Sequence, residues 1–124
     1  MSTFTLPFRA GLLLCASLLA ASPCAQAGEI KVLMKDMKLA MQGAMASTTM
    51  PELDGFVARL EHDVQQASKQ PYRDDQRTYD EGMQALRQQL ADVDHAIGEN
   101  DMNGAKKALR GINATRKHYH DLLG

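Results

Sequence analysis

Four stretches of this chain repeat apolar side chains at three- and four-residue intervals, and three short breaks divide them. That period draws a stripe down one face of an α-helix, and a helix with one apolar stripe has to bury it against another element. From Glu29 to about Ala46 the stripe is Ile30, Met34, Met37, Met41 and Ala44/Met45. Thr49-Met50-Pro51-Glu52 reads as a capping box, with proline in the first turn, where no donor is missed. The second stripe follows as Leu53, Phe56/Val57, Leu60, Val64 and Ala67, and the helix stops before Pro71. A third helix starts near Asp75 and carries Tyr79, Met83, Leu86, Leu90, Val93 and Ile97. After a turn at Gly98-Glu-Asn-Asp101, with Asp101 as N-cap, the fourth carries Ala105, Ala108/Leu109, Ile112, Arg116, Tyr119/His120 and Leu122/Leu123. Short connections make sequential helices antiparallel neighbours, so the expected fold is all-α, an up-down-up-down antiparallel four-helix bundle. No strand pattern or internal repeat competes with it.

The bundle is expected to follow a cleaved leader. Arg9 precedes the apolar run Ala10–Ala21, and Ser22-Pro-Cys-Ala-Gln-Ala27 ends in the small-x-small pattern of a signal-peptidase site. The run is short for a membrane span. Cys15 follows Leu14 and Cys24 follows Pro23, so neither suits a lipoprotein anchor. Residues 1–27 therefore read as a secretory signal peptide and 28–124 as the exported, periplasmic domain. Both cysteines are lost with the leader, leaving no disulfide and no Cys-x-x-Cys-His for thioether attachment of a haem. The remainder has 13 Lys+Arg against 15 Asp+Glu, interleaved along the chain, which argues against a nucleic acid or a membrane surface as partner. Seven Met and only four aromatics (Phe56, Tyr72, Tyr79, Tyr119) make an adaptable core, suited to a cofactor that brings its own flat surface.

In such a bundle the first and last helices lie side by side and run in opposite directions. Met34 is the seventh residue after Ala27 and His120 the fifth from the end, so at 1.5 Å per residue the two stand at one level. A thioether and an imidazole facing each other are the axial pair of a low-spin haem iron. On periodicity alone the reading stays open, because a Met stripe at helical spacing is more often core, and a lone His at the edge of an apolar face is more often a surface residue. His118 points elsewhere, and His62 and His95 fall on polar faces. No His-x-x-x-His or carboxylate set supports a dinuclear metal site, and no nucleophile–base pair or carboxylate dyad suggests an enzyme.

Arg116-Lys-His-Tyr-His120, together with Met34, resembles the soluble periplasmic cytochrome b562 family, and the likeness covers nearly all of 28–124. It implies Met34 and His120 as axial ligands of one noncovalent haem b, with Arg116 close by to meet a propionate. The family's aromatic-x-x-Gly-aromatic segment, which packs on the haem, corresponds to Tyr79-Asp-Glu-Gly82-Met83, with Met83 where Phe is frequent. The function implied is periplasmic electron transfer by a monomer, with haem and redox partner proteins that the sequence does not identify. The competing expectation is a haem-free periplasmic bundle acting as a binding or stress-adaptor module through its Met-rich stripe.

Overall fold

The computed structural model describes residues 23–124, with side chains from Gly28 on. It consists of four helices in sequence, α1 (Pro23–Ala46), α2 (Met50–Ser68), α3 (Gln76–Gly98) and α4 (Met102–Leu123). Most of the expected signal peptide, and with it the apolar run 10–21, lies outside the described residues. Its last five residues extend α1, which begins at Pro23 rather than Glu29. Proline at a first helical position loses no hydrogen bond, and the Ala-Gln-Ala that soon follows favours helix.

The helix starts are set by their caps. The Thr49 hydroxyl accepts from the Glu52 N–H at 3.4 Å, while the Glu52 carboxylate accepts from Thr48, one residue upstream of the donor a capping box would use. The Asp75 carboxylate accepts from the Thr78 N–H at 3.1 Å, and Asp101 from Gly104 at 2.9 Å. Each such cap contributes about 1 kcal/mol. Asn100 takes the left-handed conformation (φ 56°), which turns the chain tightly enough for the Asp101 N–H to reach the Ala96 carbonyl at 2.8 Å.

α1 packs on α2, α3 on α4 and α2 on α3, while the seam between α1 and α4 is the slackest of the four. Gly43 explains the closeness of the first pair, since a Cβ there would run into the Phe56 ring. The α2 stripe is buried at Leu53, Val57, Leu60, Val64 and Ala67. On α3 burial runs from Tyr79 to Val93, and Ala96 takes the inner position expected of Ile97, which is only partly buried. The outer helices divide along their length. Met37, Ala40 and Ala44 are buried but Met34 and Ile30 only partly; Ala105, Leu109 and Ile112 are buried, whereas Arg116, His120 and Leu122 are exposed. Among the described residues Asp63 is the one carboxyl side chain in the core, beside an ion pair in which the Arg59 Nε donates to Asp36 at 2.9 Å. Among the described residues no helix is long and apolar enough to cross a membrane.

Candidate functional site

The slack seam widens where the beginning of α1, the end of α4 and the α2–α3 connection meet. A cleft of about 550 Å³ opens there, within the roughly 300–1,000 Å³ typical of small-molecule sites. Met34 on α1, Tyr79 and Met83 on α3, and Arg116 and His120 on α4 all line it. Periodicity had placed these residues on three different helices, and the bundle brings them to one cavity. Met37 also reaches the lining but is 3% exposed, deeper than half-buried Met34. His62, His95 and His118 do not line it; His95 instead faces Glu99, with Nε2 3.1 Å from the carboxylate.

The inner wall is held by aromatic contacts. Tyr79 is buried in the first turn of α3, and its hydroxyl donates to the Ala67 carbonyl near the end of α2. Burial pushes that hydroxyl up to about 12, so it remains a donor at any physiological pH. The Tyr72 ring stacks on Tyr79 with centroids 5.2 Å apart, and the Tyr72 hydroxyl donates to the Leu123 carbonyl at 3.3 Å. That bond ties the end of α4 to the α2–α3 connection and closes the bottom of the cleft. Gly82 lets α4 approach α3: a Cβ there would stand 2.9 Å from Cγ of Tyr119, whose ring rests on the α3 backbone.

The mouth is cationic. Lys31, Lys35, Lys38 and Arg116 border it, all exposed, and no carboxylate side chain joins the lining. A second cavity of about 600 Å³ continues along the seam over Met41, Met45 and Leu109, sharing Lys38 and Arg116 with the first. Sequence reasoning missed Tyr72 and the lysines. Tyr72 stands in an interhelical break that no periodicity reaches, its one signal being an aromatic directly after Pro71.

The possible metal donors in the cleft are the thioethers of Met34, Met37 and Met83 and the imidazole of His120, in a largely apolar slot. Among the described residues no group of three or more His, Cys, Asp or Glu could hold a bare metal ion. Thioethers and one imidazole, with no carboxylate or thiolate beside them, suit a metal that would arrive with ligands of its own, as haem iron does, and the cations at the mouth suit carboxylates at its edge. The residues present therefore fit a haem. Comparison with known proteins agrees with that chemistry: the family model described as Cytochrome b562 matches residues 29–123. No curated protein and no solved structure matches the chain.

Proposed function

The chain belongs to the cytochrome b562 family of electron-transfer proteins with noncovalent haem b, and on that premise we propose that it is a periplasmic electron carrier with Met34 and His120 as the axial ligands. The observation that supports this pair is their common cleft, reached from α1 by a half-buried thioether and from α4 by an imidazole at its mouth. Bound haem supplies a one-electron iron couple. The Met34 thioether, a soft ligand, would favour the ferrous state and raise the potential. With Met34 and His120 both holding the iron, no position would remain for a substrate, which would suit electron transfer rather than catalysis. Arg116, one turn before His120, places a permanent positive charge at the mouth, where it can pair with a propionate. Tyr79 and Met83 form the apolar wall that excludes water. Export follows from a signal peptide over 1–27, leaving 28–124 as the working domain.

The test is an absorption spectrum of the protein titrated with haem, oxidised and reduced. Wild type is expected to give a six-coordinate low-spin spectrum with one haem per chain. His120→Ala should lose it together with most haem affinity. Met34→Ala should retain haem through His120 in a high-spin form of lower potential, while Met37→Ala and His118→Ala keep the wild-type spectrum. Mass spectrometry of the exported chain should find Gly28 at its start. If wild type takes up no haem, or if both ligand variants are spectrally unchanged, a haem-free binding or stress-adaptor bundle replaces this reading.

A further inference from the structure

Acids and bases interleave along the chain, yet the bundle sorts them. α1 and α4 together carry eight Lys/Arg and three Asp/Glu; α2 and α3 carry three and eight. Of the three acids on the outer pair, Asp36 is bound by Arg59 of α2 and so turned away from the seam. Lys31, Lys35 and Lys38 stand along α1, and Arg110 and Arg116 line the seam from α4. Lys117, seven residues after Arg110 and four after seam-lining Asn113, lies on the same stripe. All six are exposed, and none is in an ion pair among the described residues. The two propionates of a bound haem would neutralise two charges, and the face would stay positive.

Among the described residues the large apolar side chains that remain exposed are Val32, Leu39 and Leu122, and none of them lines the seam. We propose that the α1–α4 face docks an acidic protein redox partner, seated over the mouth of the cleft. The inference rests on the electron-carrier reading and adds the partner's chemistry to it. A cationic face on a chain of net negative charge orients an acidic partner as it approaches and repels a basic one, which sets encounter rate more than affinity. An exposed cationic surround with a largely apolar cleft at its centre suits the small interface of a transient electron-transfer complex. An anionic membrane would also meet the charge, but three isolated apolar side chains give it little to bury, and a lipid surface holds no redox centre.

The experiment uses ferrous holoprotein with hexacyanoferrate(III) as an anionic oxidant and poly-L-glutamate as a stand-in for an acidic protein surface. The oxidation rate should fall roughly tenfold as salt rises from low to physiological, as if the protein were positively charged. Arg110→Glu/Lys117→Glu should abolish that slope without changing the haem spectrum or midpoint potential, and Asp92→Lys on α3 should leave it as in wild type. At low salt poly-L-glutamate should slow the oxidation and shift amide resonances of α1 and α4. A normal spectrum and couple with a rate indifferent to salt or to the double reversal overturns the docking face alone. So do resonance shifts confined to α2 and α3, or binding to phosphatidylglycerol vesicles with none to poly-L-glutamate. Absence of haem uptake overturns the electron-carrier reading and this inference with it.

Discussion

The two ends of the bundle are built from one apolar repeat and finish differently. At one end Ala44, Leu53, Val57, Val93, Ala105 and Leu109 are wholly buried. At the other, Ile30, Met34, Tyr119 and Leu123 continue the same stripes but remain partly exposed around a cleft. Topology supplies part of the reason: two short connections, 47–49 and 99–101, tie the helices at the closed end, whereas the open end has only 69–75 between α2 and α3. Side-chain size supplies the rest. Ala40, Ala44, Ala105 and Gly43 let backbones approach at the closed end, and at the open end α1 and α4 present Met, Tyr, Lys and Arg to each other instead. An unfilled stretch of an otherwise regular stripe thus leaves a cleft at one end of a bundle whose other end is closed.

Haem should break the contrast most strongly. A ligand that binds only the folded state stabilises it by about 4 kcal/mol when free ligand exceeds its dissociation constant a thousandfold. Calorimetry with and without haem should show a higher melting temperature, and hydrogen exchange should slow mainly in the first turns of α1 and the last of α4. Equal melting of the two forms would mean the cleft is no specific site.

Leu109→Ala removes a wholly buried side chain at the closed end and should cost about 2–5 kcal/mol in urea unfolding, while the haem spectrum stays that of wild type. Spectral loss in a still-folded variant would show that the two ends are not independent.

The Asp63 group tests the same comparison through pH. Burial, with Asp36 beside it, pushes the Asp63 carboxyl up to about 7, and its Oδ2 has no hydrogen-bond partner. Glu61, also desolvated and facing Asp94, is likewise raised to about 7, whereas hydrogen bonds from Arg59 and then Asp63 hold Asp36 well below the usual carboxylate range. A carboxyl raised on folding binds its proton more tightly in the folded state, so stability falls as pH climbs from about 4 to 7. Asp36, depressed on folding, acts with the opposite sign: its contribution is present above about pH 4 and is lost as pH falls below that. Asp63→Asn should flatten the loss between pH 4 and 7 by on the order of 1–2 kcal/mol, the solvent-exposed Arg59 partner limiting the size. Denaturant titrations at pH 5 and 8 measure this, and an unchanged difference between them would be the contrary result.

The smallest effect belongs to Gly82→Ala. Alanine gains about 1 kcal/mol of helix propensity, but its Cβ meets the base of the Tyr119 side chain, and such overpacking costs about 1–3 kcal/mol. The net should lie between no change and a loss of about 2 kcal/mol in the apoprotein, with weaker haem binding as α4 moves off α3. A stabilised variant with unchanged affinity would show that Tyr119 gives way freely.

The sequence by itself determined the four helices, the N-cap residues Thr49 and Asp101 and most of each inward face, because hydrophobic period and capping are relations between residues three or four apart. It also carried the likeness that pointed to Met34 and His120, and the aromatic segment beginning at Tyr79. Only the tertiary structure decided that α1 and α4 stay apart at one end, that Tyr72 comes from a connection to close the cleft, and that Asp63 is buried against Asp36 and Arg59. It also decided that the two base-rich helices, α1 and α4, lie side by side and present one cationic face. These are distances between helices, and a helix's own residues do not set them: they depend on the size of the side chains that a neighbouring helix brings to the same level.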